Sequence, residues 1–389
     1  MLFLLFGVAL AAPLSPDEAV GAAVSSHPDI AVAEAAVTSA KGSARQSAFL
    51  RENPDVDVDY GLTGDRVGAS LSQPLSLTGE GLADHRSALA RLAAAESGLE
   101  RARLEVAADT RRAYVEAVVA HRAAMLAQAA FDLASRQISA AEERLRVGEA
   151  SDLDLRLSRL EQAKAAQELL AARAAASSSV ARLSTLVRQP LDGSDLASDP
   201  LLASPDVDPR VPEERSDVRA ARLAVDAAEA AVARERAAAL PPVRLGGFYE
   251  NDGGNVVAGP SLGVTLPLWH QNQAGVSAAK GEAGVARAEL DSTTARAAAE
   301  QRTAAGAHAD SVATMANVAA TDDDALAALA AIEAGARSGE LDLVTTILLR
   351  GEVVAGQRAL VAARGDLALA RITLLLATED EALLGGASR

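Results

Sequence analysis

The sequence predicts a mainly α-helical protein with a small β part: long antiparallel coiled-coil helices plus two β-hairpins, written twice along the chain. Three observations carry this. Aromatic residues make up only 2% of the 389 positions while apolar residues reach 49%, with alanine in surplus. That composition suits long, closely packed helices better than a bulky globular core. Apolar residues recur at every seventh position over long stretches, the period of coiled-coil packing. Landmarks of Pro, Gly and Asp return in the same order at an offset of roughly 190 residues, the mark of a duplicated architecture.

The elements follow in order. Residues 1–12, Met1 to Ala12, are a short apolar run ending in the small-x-small pattern Ala9-x-Ala11, and are expected to be a signal peptide. No basic residue precedes that run; the first is Lys41. The first repeat is expected over 13–189. Its opening helix spans about Ser15 to Leu50, and its hairpin about 55–75. In Asp55-Val-Asp-Val-Asp-Tyr-Gly-Leu62, Val56, Val58, Tyr60 and Leu62 fall on one face and Asp55, Asp57 and Asp59 on the other. Val67, Ala69 and Leu71 alternate in the same way with Gly68, Ser70 and Ser72. Thr63-Gly64-Asp65-Arg66 supplies the turn.

A very long helix then runs from near Gly79 to about Arg146. Its heptad seam is Leu92, Leu99, Val106, Ala113, Ala120, Ala127, Ala134 and Ala141. Alanine at a seam lets helix axes approach closely. The tip lies at about 147–152, where Gly148 ends the helix, and an antiparallel partner follows over about Asp152–Leu186. Residues 190–214 hold five prolines and read as a linker. The second repeat spans 215–384, with a hairpin at about 243–268 turning at Asn251-Asp-Gly-Gly-Asn255. Its second strand alternates as Val264, Leu266 and Leu268 against Gly263, Thr265 and Pro267. A second long helix carries Leu290, Ala297, Ala304, Ser311, Val318, Ala325 and Ile332 as its seam. The second tip lies at about 338–344, the partner helix covers about Leu341–Ala377, and 385–389 form a tail.

Composition also excludes functions. The absence of cysteine removes disulfides, thiolate metal sites, cysteine catalysis and lipid attachment through an N-terminal Cys. With 37 basic and 53 acidic residues the net charge is −16, which disfavours nucleic acid. His27, His85, His121, His270 and His308 never pair at metal-ligand spacing, so no metal site is expected. Asp322-Asp-Asp324 lacks the Gly and terminal Glu of a calcium loop and reads as a solvated helix face. No Gly-rich phosphate loop, nucleophile elbow or convergent polar constellation appears. We therefore expect no catalytic residue and no cofactor. No run of 18 apolar residues is present, so no transmembrane helix is expected.

The hairpins point elsewhere. Strands of about nine to thirteen residues match a tilted membrane-spanning β-strand. Two isolated hairpins leave edges unpaired and cannot sit in lipid. Several copies contributing four strands each pair those edges, and three copies make twelve strands. In such a barrel Asp55, Asp57 and Asp59 face the lumen. Tyr60, Phe248, Tyr249 and Trp269 adjoin the strands as an interfacial belt. A helix of about 68 residues adds a rod of roughly 100 Å.

These features resemble the TolC-type outer-membrane factors, the exit ducts of Gram-negative efflux pumps and type I secretion systems. The matching marks are the duplication itself, His27-Pro28-Asp29-Ile30, Gln73-Pro74-Leu75 and Arg144-Leu-Arg-Val147-Gly148. Leu266-Pro267-Leu268-Trp269-His270-Gln271-Asn272-Gln273 leans toward the heavy-metal efflux members. The resemblance implies an outer-membrane homotrimer with a 12-stranded β-barrel continued by a periplasmic α-helical barrel. It implies docking to a periplasmic adaptor and an inner-membrane pump. It places the tips at the adaptor end, which makes Arg144, Val147, Gly148, Glu149, Ser151, Ser338, Gly339 and Leu341 the contact candidates, with Arg337 flanking. Glu340 and Asp342 are the acids available for a constriction, and counting from Gly339 puts Thr345 and Leu348 where relatives carry gate aspartates. Acids in the first turn of a helix also serve as caps, the competing reading of both. A soluble structural coiled-coil protein is the alternative for the whole chain.

Overall fold

The structure is a computed structural model and describes residues 14–45, 53–61, 66–75, 78–148, 150–196, 215–240, 243–264, 271–319, 322–338 and 340–388. The expected signal peptide, most of the linker, Glu149, Gly339, Trp269 and the turn at 63–65 lie outside the described residues. The elements are α1 (Pro16–Ser26), α2 (Pro28–Ala44), β1 (Asp55–Tyr60), β2 (Arg66–Leu75), α3 (Glu80–Arg146), α4 (Asp152–Val187), α5 (Ser216–Ala237), β3 (Val243–Asp252), β4 (Asn255–Val264), α6 (Gln273–Ala319), α7 (Asp322–Ser338) and α8 (Leu343–Thr378). Short 3₁₀ segments cover Gly193–Asp195 and Glu381–Ser388.

One expected helix is divided. The single helix expected from Ser15 is α1 followed by α2. His27 sits between them in an extended conformation (φ −70°, ψ 135°), because the ring of Pro28 excludes its predecessor from the α region. The second long helix is described as α6 and α7, and residues 320–321 between them lie outside the described residues. Asp322-Asp-Asp324 belongs to α7.

The chain forms two compact units. The helical unit comprises residues 1–30, 103–212 and 299–389. Its seam behaves as the heptad demands: Val106, Ala113, Ala127, Ala134 and Ala141 are all buried. Polar rungs join α3 to α4, from Gln162 Nε2 to Ser135 Oγ (3.1 Å) and from Arg182 to Glu116 (2.7 Å). The Arg182–Glu116 ion pair is exposed and contributes little, so the buried alanines and leucines do most to hold the two helices together.

The main core collects Ala19 and Val20 of α1, Leu104, Ala108, Tyr114 and Val118 of α3, Leu183 of α4, and Ile372 and Leu375 of α8. It also takes Leu196 and Leu383, from segments with no periodic signal of their own. Leu14 forms an isolated parallel bridge with Leu196, and Tyr114 Oη donates to the Leu14 carbonyl (2.7 Å).

Residues 385–388, expected within a tail, belong instead to the 3₁₀ segment Glu381–Ser388. That segment is held by Arg111, whose side chain is 3% exposed. Its Nε donates to the Leu383 carbonyl (2.8 Å), and its Nη2 donates to Asp17 Oδ1 (2.5 Å). Gly385 turns there with φ +55°, and a Cβ at that position would lie 2.5 Å from Asp17 Oδ1.

The second unit comprises residues 31–102 and 213–298 and carries the strands. The first part of α3 lies along α5, with Ser87 Oγ donating to the Ala227 carbonyl (2.9 Å) and Arg219 Nε to Ser97 Oγ (2.9 Å). Ahead of α6, Asn272 takes a left-handed conformation and its Nδ2 donates to Glu235 Oε2 (2.6 Å). That bond, with the Arg234 guanidinium, holds the Glu235 carboxyl below the usual carboxylate range.

Candidate functional site

The two hairpins are joined. β2 pairs with β3 as well as with β1, giving one antiparallel sheet in the order β1-β2-β3-β4. The register sorts side chains into two faces, since cross-strand partners share a face. Val56, Val58 and Tyr60 lie opposite Leu71, Ala69 and Val67. Those continue into Gly247, Tyr249 and Asn251 of β3, and then Pro260, Ala258 and Val256 of β4. Leu245 opposite Leu262 and Val243 opposite Val264 extend the same face. It is almost wholly apolar, yet Val58 is 70%, Tyr60 71% and Leu262 71% exposed.

The other face carries Asp55, Asp57 and Asp59 opposite Ser72, Ser70 and Gly68. Arg66 pairs there with Glu250. Phe248 also lies on this acid-bearing face, opposite Ser70 and Gly259, because neighbours in a strand point to opposite sides. Tyr60 and Tyr249 are thus the described aromatics of the apolar face.

Strand dimensions follow from the same register. β2, β3 and β4 have 10 residues each, while β1 has 6. Ten residues at about 3.3 Å reach about 33 Å, or about 23 Å of height at a 45° tilt, close to the ~25 Å apolar band of a membrane barrel. β3 and β4 meet at Gly253-Gly254, both at positive φ (56° and 97°), as a two-residue hairpin requires. Asn251 Oδ1 accepts from Gly254 N (3.2 Å). The alternation Val256-x-Ala258-x-Pro260-x-Leu262 is readable in the sequence. Pro260 hides it, since proline is admitted to strands mainly at sheet edges, where β4 lies. The pairing of β2 with β3 spans a separation that no local pattern encodes.

The tips belong to the helical unit. At the first, Gly148 has φ +80° and its N–H donates to the Leu145 carbonyl (3.1 Å). α4 then opens with a capping box: Ser151 Oγ accepts from Asp154 N (3.2 Å), and Asp154 Oδ2 accepts from Ser151 N (2.9 Å). These bonds hold the Asp154 carboxyl below its ordinary range, opposed in part by the charge of Asp342. Val147 is exposed and Arg146 pairs with Glu143. Arg144 is exposed at the end of α3.

At the second tip, Ser338 Oγ donates to the Gly335 carbonyl (3.1 Å), which also accepts from Glu340 N (3.0 Å) and Leu341 N (3.2 Å). Asp342 is the N-cap of α8. Its Oδ1 accepts from Thr345 N (2.6 Å), and its carbonyl accepts from Thr346 Oγ1 (2.8 Å). Asp342 and Thr345 are therefore brought together as cap and third helical residue, while Glu340 is exposed beside them. Among the described residues, no helix is long and apolar enough to cross a membrane, and no group of three His, Asp or Glu is placed to hold a metal ion.

Comparison with known proteins agrees with this geometry. The cobalt-zinc-cadmium resistance protein CzcC of Cupriavidus metallidurans is 25% identical over 279 residues, which are 69% of this chain and 66% of that protein, just short of two thirds of its length. The fold matches the outer-membrane channel OprN with a TM-score of 0.77 at 20% identity, over 96% of this chain and 91% of that one. It matches the open state of the Neisseria gonorrhoeae MtrE outer membrane channel with a TM-score of 0.76 at 20% identity, over 96% and 90%. A family model matches twice, at residues 19–187 and 210–378, both ends displaced by the 191 residues that separate Gly148 from Gly339. With two matched repeats filling most of its length, this chain belongs to the outer membrane efflux protein family.

Proposed function

We propose that the protein is the outer-membrane channel subunit of a tripartite efflux or type I secretion system, a passive exit duct with no catalytic step. The observation that carries the reading is the sheet: one face apolar and uncovered, the other acidic, with β1 and β4 as free edges. In lipid an open edge strands backbone donors and acceptors, so the sheet must close on copies of itself. Three copies make a twelve-stranded barrel with Asp55, Asp57 and Asp59 toward the lumen, and with Tyr60 and Tyr249 at the lipid interface. The helices form the periplasmic extension. Gly148 and its neighbours at the first tip, and Ser338 to Leu341 at the second, meet a periplasmic adaptor linked to an inner-membrane pump. Glu340 and Asp342 supply the charge at the constriction. The name of the relative CzcC supports metal ions as cargo, driven by the pump rather than by this chain.

Negative-stain imaging of detergent-extracted protein tests this directly. Threefold tubes with a helical section of about 100 Å, set by the helix rise, are expected. Compact monomers recovered without detergent would overturn the channel and favour a soluble coiled-coil protein.

A further inference from the structure

Three of the chain's crossings between helices and sheet come together in one polar cluster. Glu235 lies in the last turn of α5, ahead of β3; Asn272 lies between β4 and α6; Asp84 lies near the start of α3, after β2. Asn272 Nδ2 donates to the Glu235 carbonyl (2.9 Å) and to its Oε2 (2.6 Å). Arg234 pairs with Glu235 and reaches Asp84 Oδ1 at 3.5 Å. The carboxylates of Glu235 and Asp84 are 18% and 28% exposed, so these contacts are less screened by water than ordinary surface pairs. Gly275 makes room for them: a Cβ there would lie 2.6 Å from Glu235 Oε2 and would also strike Asn272 Oδ1.

The duplication shows that the turn alone does not call for asparagine. Asn272 follows Pro267 as Gly79 follows Pro74, each pair 193 residues apart. Both residues stand ahead of a long helix with positive φ, 53° at Asn272 and 83° at Gly79. Both carbonyls accept from the N–H four residues on, Val276 and Ala83, at 3.0 Å. Glycine enters the left-handed region freely, whereas asparagine does so against its Cβ. The first repeat therefore makes this turn with the easier residue, and the second keeps a side chain that bonds Glu235. The cluster also sits where a tie is useful. Short turns fix the register of β1 on β2 and of β3 on β4, but no turn joins β2 to β3. The cluster lies beyond the end of the sheet where Leu75 meets Val243 and Val243 meets Val264.

We propose that Asn272 is a positioning residue: with Glu235 and Arg234 it buckles the base of the β3–β4 hairpin to the head of α3, and so holds β3 in register against β2. In a closed barrel each copy would carry this buckle where its strands leave the helices. That consequence rests on the channel reading; the buckle itself does not.

The test is amide hydrogen exchange of the full-length, detergent-extracted protein, read over residues 66–75 and 243–252, with residues 106–118 of the helical unit as reference. If Asn272 serves only the left-handed turn, N272G matches wild type or is better protected, since glycine suits that turn. The buckle requires the opposite. N272G should quicken exchange over both strands at least threefold, and E235A, which leaves the turn untouched, should do the same. N272D sets a second carboxylate against Glu235 and should quicken it at least tenfold. N272D/E235Q restores one donor and one acceptor with their places reversed, and should return to within threefold of wild type. The reference residues should not change in any variant. Exchange in N272G or E235A no faster than wild type overturns the proposal. So does a double variant no better than N272D, or quickening that spreads equally to residues 106–118. Exchange reads the sheet within one chain, so an absence of threefold tubes would sink the channel reading and leave the buckle standing.

Discussion

Lysine placed at Leu71 and, separately, at Ser70 distinguishes a sheet immersed in lipid from one bathed in water. Both residues sit at the middle of β2, one residue apart, so their depth in a barrel is nearly the same. Leu71 lies opposite Val56 and Gly247 on the apolar face and is 53% exposed. Ser70 lies opposite Asp57 and Phe248 on the other face, with its Oγ 3.5 Å from Asp57 Oδ2. In water, either exchange changes stability by about 0.5 kcal/mol or less, as for most surface substitutions. In a bilayer, lysine at the midplane of the lipid face costs about 2–4 kcal/mol per chain. Lysine at position 70 instead meets the carboxylate of Asp57 and gains up to about 1 kcal/mol. The difference, about 2–5 kcal/mol, corresponds to a factor of about 30 to 4,000 in the inserted fraction at about 1.4 kcal/mol per decade. Refolding of the urea-denatured chain into phosphatidylcholine vesicles, followed by heat-sensitive migration in gels, reads that fraction. Equal yields from L71K and S70K would refute the lipid-facing assignment, whatever their absolute values.

Three further outcomes are expected. Arg111→Met removes the donor shared by the Leu383 carbonyl and Asp17, and should lower unfolding stability by about 1–3 kcal/mol, the cost of stranding the buried Leu383 carbonyl while the exposed Asp17 turns to water; urea denaturation measures it, and hydrogen exchange should quicken over 381–388 first. Glu18 and Asp154 have carboxyls depressed by bonds to Ser15 and Ser151, so folding holds them ionised more strongly than the unfolded chain does. Their contribution is therefore complete above the ordinary carboxylate range and is lost as pH falls through the folded values, with amide protection at the starts of α1 and α4 declining on acidification and unchanged on raising pH from neutrality. Asp342→Ser keeps an N-cap oxygen and should leave stability nearly unchanged, whereas Asp342→Ala costs about 1 kcal/mol; planar-bilayer recordings should show reduced cation preference in both, and an unaltered preference in Asp342→Ser would leave Asp342 a cap alone.

What was legible in the sequence is what local physics encodes. The heptad from Leu92 to Ala141 follows from the helical repeat, and its members from Val106 onward are mostly buried. The alternation at Asp55–Tyr60 follows from the two-residue period of a strand, and so the two faces were readable before the sheet was known. What was not legible depends on partners distant in the chain. The union of two hairpins through β2 and β3 brings Leu71 to Gly247 across a separation without periodic trace. Arg111 looks like any helix-surface arginine, and only the arrival of the C-terminal 3₁₀ segment makes it buried. The break at His27 was available from Pro28, but the continuous apolar pattern on both sides concealed it. Phe248 and Tyr249 are neighbours in sequence, but strand parity puts Tyr249 on the apolar face and Phe248 on the acidic one.

The tips show why carboxylates there do not by themselves argue for a gate. Each of α4 and α8 begins at a tip, and each N-terminus presents N–H groups without intrahelical acceptors. The sequence meets that demand with Ser151 and Asp154 in one place and with Asp342 in the other. An acid near the start of each helix is thus supplied by helix termination, whether or not ions pass it. Any selectivity at the second tip must come from charge in excess of what capping consumes. Asp342 has one oxygen engaged by Thr345 N, while Glu340 contributes its backbone N–H to the turn and leaves its exposed carboxylate outside the cap. Capping requires an acceptor of the right reach, and a cation filter requires negative charge. Serine satisfies the first requirement and not the second, so the two roles of Asp342 are separable in one protein, and Glu340 is the residue whose charge the helix does not need.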